Sequence, residues 1–220
     1  MVKISISERI KGSIPDLVLG CIECNVEILK SSPELWDEIE GTCKLIQQTK
    51  NFADVSSLPA IKASRQSYKL CGKDPARYRL SSEALMRRVV KGFDLYRINN
   101  VVDLLNLVSL KTGMSIGGYD ADKIDGDVIF DVGYKDEPYE GIGRGELNIE
   151  FLPVFRDRNS AFGSPTSDSV RTSVTHNTKR FLMIIVGFSG IASTKEAMEL
   201  AVSLLKKYAA ATAIETFLIQ

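Results

Sequence analysis

The stretch FLMIIVGF at 181–188 constrains the fold more than any other part of the chain. It is the longest apolar run, and it falls well short of the roughly 18 apolar residues that a membrane span needs. A run of this length suits a buried strand. The segment STKEAMELAVSLLKKYAAA follows from Ser193, with a capping box from Ser193 to Glu196 and a stripe of Met198, Ala201, Leu205 and Tyr208. A buried strand followed by a one-faced helix predicts a helix over 193–210 covering a sheet that includes 181–188. The stripe is core packing rather than a cofactor box.

The remaining pattern is mixed. Residues 2–10 and 15–28 alternate as strands do, and 127–133, 147–155 and the terminal ETFLIQ also read as strands. SSPELWDEIEGTCKLIQQT opens with a serine cap, Pro33 and acidic first-turn residues, so it predicts a helix with Leu35, Trp36, Ile39, Cys43 and Ile46 on one face. Further helices are expected over 59–70, from Ser81 to a stop at Gly92, and from Asn99 to Gly113. Helices and strands alternate irregularly, without repeats or a long linker. This predicts a single domain over 1–220 of α+β class.

Charge limits the partners. With 28 basic and 28 acidic side chains, the chain has no global attraction for nucleic acid or an anionic membrane. The charges are unevenly placed: Lys73 to Arg97 holds seven basic and three acidic residues, and Asp120 to Glu150 ten acidic and three basic. RNA contacts, if any, are expected from Arg79, Arg87, Arg88 and Lys91. A solvated helix face is the other reading of that segment. The opening MVKISISERIKG lacks the apolar core of a signal peptide, so a cytoplasmic protein without a membrane segment is expected.

Several motifs carry less than they suggest. Cys21 and Cys24 form a CxxC in a strand-like stretch, where a spacing of three sends side chains to opposite faces, so neither metal nor disulfide is expected there. GIGRGE at 141–146 lacks the lysine and the strand–loop–helix frame of a phosphate loop and reads as a tight connection between strands. His176, the only histidine, sits in a polar loop without a GxSxG nucleophile elsewhere. No cofactor is expected.

Two stretches can build a cleft. INNVVDLLNLVSLKTG places Asn100, Asp103 and Asn106 in an otherwise apolar helix, with Asp103 and Asn106 on one face. The following GMSIGGYDAD, read as a loop, has Gly117 and Gly118 for close approach and ends near Asp120. AFGSPTSDSVRTSVT crowds hydroxyls around Ser167, Asp168, Arg171 and Thr172, a set able to hold a ribose, phosphate or amino acid. A plain polar turn is the alternative for this second stretch.

At these residues the chain resembles the B3/B4 domain of the bacterial phenylalanine–tRNA ligase β subunit. INNVVDLLNLVSLKTG followed by IGGYDADKIDGD matches that domain's helix and loop. PTSDSVRTSVTHNTKRFLMII is similar to its last segment, and KDPARYRLSSEALMRRVVKG is similar to free-standing members. The resemblance is strongest over 60–190. It implies a layered β/β/α sandwich with a large mixed sheet, and an editing site that hydrolyses mischarged aminoacyl-tRNA. Asn106 matches the helix asparagine of that site. Gly117 stands where the family has a pocket histidine, and the family's glutamate falls near Ser169 or Val170. The resemblance thus implies tRNA or aminoacyl-tRNA as partner and a cleft with altered determinants, and it does not extend to a complete ligase. A trans-acting deacylase and a non-catalytic module binding RNA or an amino acid are both compatible with it. DNA is not expected as a partner, and the oligomeric state is open.

Overall fold

The extended segment around 181–188 is buried on both faces, which explains an apolar run with no alternation. The computed structural model describes all 220 residues. The chain begins with β1 (Ile4–Ile6), α1 (Glu8–Ser13) and β2 (Val18–Asn25). Four helices follow: α2 (Pro33–Thr49), α3 (Pro59–Leu70), α4 (Ser81–Val90) and α5 (Asn100–Thr112). Then come β3 (Ile116–Asp120), β4 (Val128–Val132), the short hairpin β5 (Glu140–Gly141) and β6 (Gly145–Glu146), β7 (Pro153–Arg156) and β8 (Ala161–Gly163). The chain closes with β9 (Arg180–Gly187), α6 (Ile191–Tyr208) and β10 (Thr212–Ile219).

The strands form two four-stranded sheets. One has the order β1-β4-β7-β8 and is mixed, with β1 parallel to β4 and the other neighbours antiparallel. The second has the order β10-β2-β9-β3 and is antiparallel throughout. Leu182, Ile184 and Val186 of β9 enter the core between the sheets with Phe130, Phe155 and Phe162. Phe181, Met183 and Ile185 enter the core beneath the helices with Val101, Leu104, Val108 and Ala201. The result is the β/β/α sandwich of an α+β protein. Each fully buried side chain of this kind stabilises it by roughly 1.5–3 kcal/mol. Cys21 and Cys24 do face opposite ways, one into each core.

Helix α6 sits close to its sheet because two glycines leave space. A Cβ on Gly20 would meet Met198 and Thr194, and one on Gly187 would overlap the Thr194 hydroxyl. The caps explain the helix ends. Ser32 accepts from the Leu35 N–H at 3.3 Å, Asn99 from the Val102 N–H at 2.9 Å, and Gly113 takes φ 74° to end α5.

Four local expectations are corrected. Residues 2–10 are not one strand, because the Ser7 hydroxyl accepts from Ile10 N–H and starts α1. The strand expected over 147–155 is confined to Pro153–Arg156, while Ile149 and Leu152 pack beside Tyr68. Helix α6 starts at Ile191 after Gly190, and Ser193 donates back to the Gly190 carbonyl at 3.3 Å instead of capping. The segment expected as a glycine loop contains strand β3, paired with β9 from Ile116 to Asp120.

Candidate functional site

Strand β3 lies at a sheet edge, and the loop from Ser164 to Ser173 runs along it. This brings Asp168 against the strand. Its Oδ1 accepts from the Tyr119 hydroxyl at 2.7 Å, and its Oδ2 accepts from the Gly118 N–H at 3.4 Å. The Tyr119 ring is buried between the sheets, edge-on to Phe162 with centroids 5.0 Å apart. A Cβ on Gly117 or on Gly163 would overlap the Tyr119 phenol, so both glycines are required for its path to Asp168.

Part of the Asp168 surface reaches a cleft, but its carboxyl is otherwise enclosed by protein. Burial is the main influence and pushes its pKa up to about 7, against the bonds from Tyr119 and Gly118 that favour the charged form. The Tyr119 hydroxyl is pushed well above its ordinary value, first by burial and then by the neighbouring Asp168 charge. Tyr119 therefore remains a proton donor while Asp168 titrates near neutrality.

The cleft has a volume of about 790 Å³. Leu105, Ile116 and Phe181 form part of its wall, and Asn106 from α5 shares the space with Gly118 and Asp168. The Asn106 amide is half-buried and has no hydrogen-bond partner within the chain. A partly buried amide gains from a ligand that bonds to it. Thr166 lines the same cleft with its hydroxyl 2.9 Å from that of Tyr68. Two arginines stand at the cleft from different elements, Arg88 from α4 and Arg144 from the β5–β6 hairpin. The hairpin is tied to the Asp168 loop by Ile142 N–H donating to the Asp168 carbonyl at 2.9 Å.

Of the residues expected at the site, Asn106, Gly118 and Asp168 come together. Gly117 faces the Tyr119 phenol, so the space left by its missing side chain is filled from within and does not widen the cleft. The Asn100 side chain accepts from Leu29 N–H and donates to the carbonyls of Glu27 and Tyr208. Asp103 accepts from the Ser31 hydroxyl and the Ile98 N–H, and despite its spacing from Asn106 it turns inward. Asp120 accepts from Thr178 and Asp122. Ser167 donates within its own loop. Arg171 forms a bidentate pair with Asp157, and Thr172 is fully buried. These six hold the scaffold around the cleft without lining it.

The basic residues also divide. Arg87 donates to Glu83 at 2.9 Å, and Arg79 stands 4.0 Å from the same carboxylate. Arg88 gives its Nε to the Asp94 carbonyl at 2.6 Å, which leaves the terminal amino groups of its fork unpaired. Lys91 is exposed, over the Phe52 ring. His176 is exposed on a turn and is not among the residues lining the cleft. Sequence reasoning missed Tyr119, Arg144 and Tyr96, the last of which also lines the cleft. A tyrosine one residue after a glycine pair was the available signal for Tyr119.

No curated protein matches the sequence. Among solved structures, an N-terminal fragment of the phenylalanyl-tRNA synthetase β subunit from Pyrococcus horikoshii matches with a TM-score of 0.51 and 14% identity, over 99% of this chain. The chain spans 50% of that fragment, so the likeness is one of fold over about half its length. No helix is long and apolar enough to cross a membrane. The model of the B3/4 domain family matches residues 63–211, a span that contains α4, α5, the cleft with Asn106, Gly118 and Asp168, and the whole of α6. The chain therefore belongs to the B3/4 domain family.

Proposed function

We propose that the cleft takes the aminoacylated 3′ end of a tRNA and hydrolyses its ester bond. One observation carries this reading: a carboxyl with a pKa raised to about 7 borders a cleft that also holds an unpartnered amide. A base of that strength is half ionised at neutral pH, where general base catalysis is most effective. Asp168 takes a proton from water, and the water oxygen forms a bond to the ester carbonyl carbon. The bond from that carbon to the ribose oxygen then breaks, and Asp168 returns the proton to the leaving oxygen. Free amino acid and deacylated tRNA result. The Asn106 amide is suited to donate to the carbonyl oxygen as negative charge develops on it. Leu105, Ile116 and Phe181 offer an apolar wall for the amino-acid side chain.

Family membership and the fold shared with a synthetase β-subunit fragment support tRNA as the partner. Incubation with a panel of aminoacyl-tRNAs tests the reading, following bound RNA and ester loss together. Ester loss that disappears in Asp168→Asn is the expected outcome. A second reading, binding without turnover, is favoured by the fact that both Asp168 oxygens already accept protein bonds. The carboxylate would then serve only to hold the α-ammonium group. Saturable binding with no ester loss would select that reading.

A further inference from the structure

The connection from α4 to α5 exposes side chains that a folded domain ordinarily hides. In KGFDLYRI at 91–98, Leu95 alone turns inward, packing against two of the cores. Phe93 is 58% exposed and Tyr96 is 70% exposed. Tyr96 also lines the cleft, whereas Phe93 and Arg97 lie further out, against α2. The aromatic surface therefore leads away from the cleft mouth.

Cations are interleaved with these rings. The Arg88 guanidinium lies 4.3 Å from the Tyr96 centroid and 5.9 Å from that of Phe93. Arg97 is 62% exposed beside Trp36, and Lys91 is exposed beside Phe52. The carboxylates in this region include Asp94, Glu40 and the buried Asp103; Glu40 is paired with Arg97 at 3.2 Å, and Asp103 accepts from the Ile98 N–H at 3.0 Å. Each arginine covers part of a ring and leaves other aromatic surface open. Exposed rings offer stacking surfaces to any base, and neighbouring cations attract the phosphates between bases. A duplex keeps its base faces stacked inside and cannot use such rings.

We infer that residues 88–97 form a stacking track for unpaired RNA, with Tyr96 at the cleft mouth and Phe93 beyond it. The inference deepens the deacylase reading, for it names the form of RNA the cleft receives and the residues that guide the strand. The track holds bases without reading their identity, because stacking accepts every base.

Fluorescence anisotropy with an unpaired oligoribonucleotide of about eight nucleotides, a length within the usual range of stacking sites, tests this directly. A duplex of equal length is the control. The unpaired strand is expected to bind more tightly, and Tyr96→Ala to weaken it by roughly fivefold or more. Tyr96→Phe, which keeps the ring, is expected to retain binding. Tyr96 and Phe93 are both exposed, so substitution at either does not put folding at risk. Equal affinity for duplex and single strand, no binding of the strand, or unchanged affinity in both Tyr96→Ala and Phe93→Ala would overturn the inference. A small aminoacyl ester without a polynucleotide separates the two readings. Its hydrolysis depends on Asp168 and is expected to be indifferent to Phe93→Ala, a position outside the cleft lining, so either reading can fail alone.

Discussion

Two carboxylates, Glu83 and Asp168, are withdrawn from water in opposite ways. Glu83 is 1% exposed and meets Arg65 and Arg87, each at 2.9 Å, with Arg79 at 4.0 Å. Asp168 meets a phenol and a backbone amide, both neutral. Full ionic compensation makes Glu83 a fastening between α3 and α4. Neutral compensation leaves Asp168 with a raised proton affinity and a reason to change charge near neutral pH. A buried acid surrounded by arginines is architecture, whereas one held by weak donors at a cleft is available for chemistry.

The largest expected effect lies on the Glu83 side. Glu83→Ala strands several cations in a partly buried space and should cost about 3–5 kcal/mol in urea unfolding. A loss under about 1 kcal/mol, typical of surface pairs, would dissolve the contrast. Asp168→Asn should match the native stability at acid pH, where the Asp168 carboxyl is neutral, and reduce ester hydrolysis by roughly 10²-fold or more.

The pH dependence sharpens the comparison. The Asp168 carboxyl rises from its ordinary 3.8 to about 7 in the folded protein. Its stabilising contribution is therefore complete below about pH 4 and is lost as pH rises through about 7. Hydrolysis runs the other way, increasing as Asp168 ionises. Denaturation and rate profiles measured from pH 5 to 8 should show both trends in the native protein and neither in Asp168→Asn. Tyr119→Phe removes a bond that favours the charged form. It should move the midpoint of the rate profile upward by about one unit, the equivalent of one charge-assisted hydrogen bond. A downward shift would show that Tyr119 does not stabilise the carboxylate. The smallest effect belongs to Asn106→Ala, expected to weaken ligand binding by about 1 kcal/mol without altering stability. Full retention of binding and turnover would remove Asn106 from the site.

Local chemistry in the sequence was enough for much of the fold. Caps at Ser32 and Asn99 and the glycine stop at Gly113 depend on atoms a few residues apart, so they can be read in the chain. The double-sided burial of 181–188 is written in its lack of alternation. The site was less accessible. Asn100, Asp103 and Asn106 look alike in an apolar helix, yet only Asn106 reaches the cleft, because the loops packed against the helix capture the other two. The bond from Tyr119 to Asp168 spans 49 residues and exists only because glycines stand at 117 and 163. Glycines that suggest a loop can equally make room within a strand, and here they concealed β3.

Cys21 and Cys24 sit one residue pair apart on β2 but open into different interiors, with burial raising their thiol pKa to about 12 and about 11. They form a built-in pair of chemical clocks. A thiol reacts when its surroundings part and admit reagent, so pulsed alkylation at Cys21 times the separation of the two sheets, and at Cys24 the lifting of the helices. If the helical layer breathes to admit a ligand while the sheets stay shut, the two labels will accumulate at different rates on a single strand.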